Sequence, residues 1–130
     1  MVDIQSRKDI DILVKHFYQK AMHDDVIGHF FSEVAKIDLA IHVPKISDFW
    51  ESILLGRSKY KGNPMEKHIE LHSNSPINEE HFVQWLALWN TSVSDLYEGP
   101  VADEALSRAR QIAGLMQFKI QKQGSWDRLV

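Results

Sequence analysis

Seven histidines and no cysteine in a chain of 130 residues make metal coordination the first chemistry to consider. His68 and His72 are four residues apart, so both imidazoles can face the same side of a helix. That spacing suits a zinc pair. The acid that follows the first histidine in the H-E-x-x-H zinc motif is missing, because Ile69 stands in its place. The two histidines therefore predict a metal site without fixing the metal.

The residues before His68 are typical of the start of a short helix. Asn63 is suited to accept a capping hydrogen bond, and Pro64 fits the first helical position, where no N–H is needed. Glu66 falls where a capping-box acid reaches back to the cap, near the positive end of the helix. We therefore expect His68 to sit on a well-anchored turn and to be the stronger ligand candidate.

His72 is the competing ligand candidate. It directly precedes the turn-forming run at residues 73–76, where the short helix should already be ending. A ligand role for His72 is therefore the second interpretation.

Several other kinds of chemistry lack their motifs. The sequence has no serine-nucleophile motif, no phosphate-binding glycine loop and no carboxylate pair suited to hydrolysis. Without cysteine the chain cannot form disulfides, thiolate zinc sites or iron–sulfur clusters. The net charge is -3 and Lys and Arg form no stripe, which disfavours nucleic-acid binding. The missing cysteines fit a reducing cytoplasm, where we expect the protein to be located.

The composition is that of one globular domain. Hydrophobic residues make up 44% of the chain and charged residues 25%. No apolar run approaches membrane-spanning length, and the N-terminus does not resemble a signal peptide, so no membrane association is expected. We predict a single domain over residues 1–130, with fraying in the first few residues and in the tail 124–130.

Apolar residues at helical spacing, without any period-2 strand, predict an all-α fold. The first helix is predicted to begin near Ser6, with Asp9 as a capping-box acid. Its inward face repeats at i, i+3, i+4 and i+7 and comprises Ile10, Leu13, Val14, Phe17 and Ala21. Tyr18 lies beside this stripe. The first helix should therefore carry a tyrosine hydroxyl toward the interior.

The second predicted helix is capped by Asp38 and ends at Gly56. Pro44 lies within this span, and a proline inside a helix removes one backbone hydrogen bond. Either the regular helix begins at Pro44 or a kink lies beside His42. Both alternatives place His42 at a weakened helix entry.

Two longer helices complete the predicted fold. Asn78 caps the third, and the Gly99-Pro100 pair ends it. The last helix is predicted from about Ala102 to Gln123. The buried side chains expected on these two helices are Phe82, Trp85, Leu86, Trp89, Val93, Leu96, Tyr97, Ala105, Ala109, Ile112, Ala113, Met116 and Ile120.

The ordered set of aromatic and histidine segments resembles the truncated haemoglobins, specifically their third group. The resemblance runs from about Ile10 to Gln121. It is carried by Phe17-Tyr18, His42, Ile46, Phe49-Trp50, Leu54-Leu55-Gly56, Tyr60-x-Gly62-x-Pro64, Lys67-His68, Phe82, Trp85 and Trp89. It implies a shortened globin fold, in which helices stack two over two around haem b.

The resemblance also implies roles for individual residues. His68 matches the proximal histidine that holds the haem iron. Tyr18, His42 and Trp85 match the distal groups that face a bound gas, and His42 is also a candidate sixth ligand to the iron. The residues expected to contact the haem are Phe17, Phe31, Ile46, Phe49, Trp50, Tyr60, Met65, Lys67, His68 and Trp85.

The implied function is binding of O2, NO, CO or a similar gas by a monomeric bacterial protein. Distal hydrogen bonding would favour oxidative chemistry, namely nitric oxide dioxygenase-like or peroxidase-like turnover with electrons from a separate reductase. Two other classes of function remain. One is a gas-sensing module without catalysis; the other is a non-haem helical protein that binds zinc or a protein partner.

Overall fold

In the computed structural model, the described residues are 1–31, 38–56 and 78–129, with side chains described up to Lys119. This part of the chain forms four helices: α1 (Arg7–Ala21), α2 (Leu39–Leu54), α3 (Glu79–Leu96) and α4 (Pro100–Leu129). α1 packs against α2 and α3, α3 packs against α4, and α2 also meets α4. The predicted all-α fold is therefore confirmed.

The start of α1 agrees with the predicted cap but not with the predicted capping box. The Ser6 hydroxyl accepts a hydrogen bond from the Asp9 N–H. The Asp9 carboxylate, however, accepts from the N–H of Gln5 at 2.9 Å instead of returning to Ser6. The predicted inward face is buried as expected, and Tyr18 is buried with it.

α2 runs without interruption through Pro44, so the alternative in which the helix begins at Pro44 is wrong. Asp38 caps the helix by accepting from the Ala40 N–H at 3.0 Å. Gly56 follows the end of the helix with a φ of 70°, a left-handed conformation that costs glycine little. The helix that carries His42 therefore has the predicted ends and tolerates an internal proline.

α4 is longer at both ends than the sequence predicted. It begins at Pro100, a residue that needs no N–H donor in the first turn. It extends to Leu129, six residues beyond the predicted end at Gln123. Its described inner face contains small residues, Ala105, Ala109 and Ala113, which allow α3 to approach closely.

Trp89 of α3 is buried in the core and contacts each of the other three helices. Its ring stacks on Trp50 of α2 with centroids 4.5 Å apart, and Phe17 of α1 meets its edge at 5.4 Å. Its indole N–H donates to the carbonyl of Ala105 on α4 at 3.2 Å. Since Trp89 is only 1% exposed, it is an apolar anchor with its one polar group satisfied.

The N-terminal segment is tied to the corner between α3 and α4. Both carboxylate oxygens of Asp3 accept backbone hydrogen bonds, from Val101 at 2.9 Å and from Ala102 at 2.8 Å. Asp3 therefore caps α4 from a distant part of the chain. Burial acts to raise the pKa of Asp3, but the backbone donors outweigh it and lower the pKa below its usual value. Gly99 lies directly against this carboxylate.

Two kinds of feature are absent from the part of the chain that the structure describes. No helix there is long and apolar enough to cross a membrane. Nor does that part bring three or more His, Asp or Glu side chains together as a metal site. The zinc alternative names His68 and His72, which lie outside the described residues.

The start of α3 contains a histidine in a reciprocal cap. Asn78 accepts from the His81 N–H, and the His81 ring Nδ1 accepts from the Asn78 N–H at 3.0 Å. This bond requires Nδ1 to be unprotonated. Burial lowers the pKa of His81, the neighbouring His29 lowers it further, and Glu80 opposes the shift.

This cap predicts a pH-dependent contribution to stability. Because the folded pKa lies below the ordinary value of 6.5, the unfolded chain binds more protons. The stabilisation by the His81 cap is complete above the ordinary pKa of 6.5. It is lost as the pH falls from there through the lowered pKa of the folded state. The free energy of unfolding should therefore be lower at about pH 5 than at about pH 7, by no more than one cap contributes, about 1 kcal/mol. Urea unfolding of the parent and of His81→Gln at both pH values measures the change.

The glutamine variant is the matched control, because its side-chain oxygen can accept from Asn78 without titrating. Its free energy of unfolding should fall less between the two pH values than that of the parent. Equal losses in both proteins would show that His81 contributes nothing to the pH dependence.

Candidate functional site

The candidate site is centred on a tyrosine and a histidine that face each other across α1 and α2. The Tyr18 hydroxyl lies 2.8 Å from Nε2 of His42, which is a hydrogen-bond distance. Their rings meet edge to face, with centroids 5.0 Å apart. Two of the three predicted distal residues are therefore brought together.

The Tyr18 hydroxyl is a neutral group at this position. Burial raises the pKa of Tyr18 well above its usual value of 10.0, because a buried phenolate would lose its hydration. A protonated hydroxyl has one donor and two acceptor positions. If Nε2 of His42 carries a proton, it donates to the Tyr18 oxygen and leaves the tyrosine proton for another acceptor. In the other tautomer, Tyr18 donates to His42.

Aromatic residues surround this pair. Phe31 meets the Tyr18 ring edge to face at 5.5 Å, and Phe17 meets it at 5.1 Å. Phe17 also contacts Trp85 of α3, with centroids 6.1 Å apart. Through Phe17, the third predicted distal residue joins the same cluster as Tyr18. Among the described residues, no acceptor is bonded to the Trp85 indole N–H.

The predicted haem-contacting residues divide into two groups by burial. Phe31, Ile46, Phe49 and Trp85 are half-buried, although their side chains are large and apolar. Phe17 and Trp50 are buried, and both pack against Trp89 in the core. Haem is a flat, apolar group, and a gas bound to it needs polar neighbours. Half-buried apolar side chains beside the Tyr18 hydroxyl and the His42 imidazole therefore fit one face of haem. Contact of each side chain with haem stays a prediction.

The opposite face of the predicted pocket falls outside the described residues. Tyr60, Met65, Lys67 and the predicted iron ligand His68 all lie in the range 57–77. Their roles therefore rest on the sequence alone.

Sequence reasoning missed a charged cluster that joins the helices of the tyrosine–histidine pair. Arg7, in the first turn of α1, donates to carboxylates of Asp48 and Glu51 on α2. Glu51 is only 1% exposed. The sequence did carry a signal for this burial, because Glu51 is an acid on a helix face otherwise filled by Trp50 and Leu54. Its partner could not be read from the sequence, since it is 44 residues away.

Comparisons with known proteins agree with this architecture. A family model described as bacterial-like globin matches residues 3–118. The chain is 31% identical over 122 residues to the group 3 truncated hemoglobin ctb of Campylobacter jejuni, an alignment that spans 92% of this chain and 94% of that protein. It is 32% identical over 111 residues to the group 1 truncated hemoglobin GlbN of Synechocystis sp., covering 85% of each.

A solved structure gives the same result. The crystal structure of group III truncated hemoglobin from Campylobacter jejuni matches with a TM-score of 0.81 at 30% identity. The match covers 92% of this chain and 95% of that one. The likeness therefore extends over nearly the whole described fold.

The described helices α1–α4, a core built around Trp89 and an aromatic site that joins buried Tyr18 to half-buried His42 fit a protein of the globin class. The matched model spans most of the chain, and the chain belongs to the bacterial-like globin family. The predicted resemblance to the third group of truncated haemoglobins is confirmed. Membership of this family implies haem-based binding of a diatomic gas.

Proposed function

We propose that the protein binds O2 and related gases at haem b, with Tyr18, His42 and Trp85 on the distal side and His68 as the proximal ligand. The observation that carries the distal assignment is the 2.8 Å contact between the Tyr18 hydroxyl and His42 Nε2 inside an aromatic cluster. Haem, when bound, supplies the iron to which the gas coordinates. The side chains described above supply the surroundings of that gas.

The tyrosine–histidine bond sets the direction of the tyrosine proton. We assign the donor role to His42 Nε2–H, so that the Tyr18 oxygen accepts from His42 and its own proton points to the gas. An O2 ligand carries partial negative charge, which a fixed donor in a dry pocket stabilises. The raised pKa of Tyr18 supports this role, because the hydroxyl keeps its proton.

The apolar residues support the same function by excluding water. Phe31 and Phe17 both contact the Tyr18 ring, and Phe17 also contacts Trp85. Without competing water, a single hydrogen bond from tyrosine contributes more to ligand retention. Slow release of O2 would follow, which suits O2 storage or chemistry better than rapid transport.

The proximal assignment is tested by replacing each candidate ligand. His68→Gly is expected to abolish stoichiometric haem binding, because it removes the imidazole that we propose would hold the iron. His72→Gly is the matched control and should retain a full Soret band after titration with haem. Full binding by His68→Gly together with loss in His72→Gly would transfer the proximal role to His72.

The enzymatic alternatives use the same distal residues. Conversion of O2 and nitric oxide to nitrate, or peroxidase-like turnover, would require electrons from a separate reductase. These activities, a bacterial source, the cytoplasmic location and the monomeric state stay predictions from the sequence.

A further inference from the structure

Arg7 makes a four-way contact at the junction of α1 and α2. Within α1, its Nε donates to Asp11 at 2.9 Å. Across the junction, its Nη1 donates to Asp48 at 2.5 Å and to Glu51 at 3.2 Å. Its Nη2 donates to the backbone carbonyl of Pro44 at 3.1 Å. The three α2 partners follow at intervals of four and three residues, so Arg7 lies along one stripe of that helix.

The charges of this cluster hold it together. Burial acts to lower the pKa of Arg7, but the hydrogen bonds to Asp11 and Asp48 outweigh it and raise the pKa above its usual value. Glu51 is almost fully buried, and a buried carboxylate is stable only with partners. The contacts use the planar, multi-donor shape of guanidinium, which a lysine ammonium cannot reproduce.

The contact with Pro44 lies where α2 lacks one backbone hydrogen bond. Proline has no N–H, so the carbonyl of Ala40 lacks the usual helical donor four residues later. The first turn of α2, which carries His42, is therefore joined to the rest of the helix by one backbone bond fewer. Arg7 holds the helix from α1 at this place, two residues from His42.

We infer that Arg7 is a positioning residue that fixes the first turn of α2 and, through it, the hydrogen bond between His42 and Tyr18. Arg7 and Tyr18 belong to the same helix, and Pro44 and His42 to the facing one. The Arg7 cluster and the Tyr18–His42 bond are two polar links across one interface. The effect of Arg7 on gas binding rests on the proposed function of Tyr18.

The test compares Arg7→Met and Arg7→Lys with the parent in the haem-loaded protein. Amide hydrogen exchange is followed at His42, whose N–H bonds the Asp38 carbonyl at 2.8 Å. We expect exchange about tenfold faster in both variants, since the first turn opens more often. The O2 dissociation rate should rise about threefold to tenfold, and the C–O stretching band of the CO form should broaden or split. Arg7→Lys should not restore the parental values, because lysine keeps the charge but lacks the planar, multi-donor shape of guanidinium.

Arg108→Met is the matched control, since it removes an arginine that pairs with Glu104 on the exposed side of α4. It should leave all three measurements unchanged. Asp48→Asn weakens the cluster more gently and should shift them in the same direction by a smaller factor. This variant decides the question if Arg7→Met does not fold.

Combination with Tyr18→Phe identifies the route of the effect. In that background Arg7→Met should still accelerate exchange at His42 but should change O2 dissociation no further. Three results would each overturn the inference. They are unchanged exchange with an unchanged C–O band in Arg7→Met, full rescue by Arg7→Lys, and an equal increase of the O2 dissociation rate in the Tyr18→Phe background. If Tyr18→Phe alone leaves O2 release unchanged, the proposed role of Tyr18 fails, and exchange at His42 still decides whether Arg7 fixes the turn.

Discussion

Replacement of Tyr18 by phenylalanine is expected to raise the O2 dissociation rate by about 10- to 150-fold, since a hydrogen bond to a charged acceptor contributes about 1.5–3 kcal/mol. The variant keeps the ring that contacts Phe17 and Phe31 and removes only the hydroxyl. The rate is measured by stopped-flow displacement of O2 with CO. CO carries less negative charge on its oxygen, so its dissociation rate should change far less.

Tyr97→Phe is the matched control for this experiment. The Tyr97 hydroxyl donates to the backbone carbonyl of Asp9 at 2.9 Å, and Asp9 precedes Tyr18 by nine residues on α1. Its loss should lower the free energy of unfolding by about 1 kcal/mol and leave O2 release unchanged. A Tyr18→Phe protein that releases O2 at the parental rate would remove Tyr18 as the ligand's donor.

Alanine at Gly99 is expected to cost about 3 kcal/mol or more of the free energy of unfolding. Gly99 has a φ of 146°, which side-chain-bearing residues rarely adopt. An added Cβ would lie 2.5 Å from Cγ of Asp3, so the carboxylate would have to leave the start of α4. Its bonds to Val101 and Ala102 would then be lost. Urea unfolding at neutral pH measures the loss.

Gly114→Ala supplies the control for Gly99→Ala. Gly114 lies within α4, is exposed, and an added Cβ there would meet nothing within 4 Å. Alanine is the better helix former, so we expect a gain of about 0.5–1 kcal/mol. A lower free energy of unfolding in Gly99→Ala together with a higher one in Gly114→Ala would locate the effect in the Asp3 contact. A cost below about 1 kcal/mol at Gly99 would show that the corner relaxes easily.

Local sequence patterns predicted the helices and much of the described core. The caps at Ser6, Asp38 and Asn78 depend on residues only a few positions apart, so their chemistry can be read directly. Helical spacing likewise placed Tyr18 near the inward face of α1. The placement of Tyr18 and His42 on the same distal side followed only from the family resemblance, and their hydrogen bond was not predicted, since nothing local relates residues 24 positions apart.

The features that sequence reasoning missed depend on contacts between distant residues or on unusual cap chemistry. The partners of Arg7 and Asp3 could not be inferred, because a charged residue does not encode where its partner lies. His81 was not predicted in the cap because Glu or Gln usually stands at that position. The predicted end at Gln123 was too early, since α4 continues through the glycine at position 124 to Leu129.

The capping of α4 by Asp3 has a consequence for the order of folding. The bonded residues are 98 and 99 positions apart in the chain, so this contact closes a loop of most of the molecule. During synthesis, Asp3 leaves the ribosome well before the Val101 and Ala102 N–H groups that it binds. The segment that contains Asp3 is therefore among the last to be secured. Premature termination before Val101 would leave it unanchored and open to proteases.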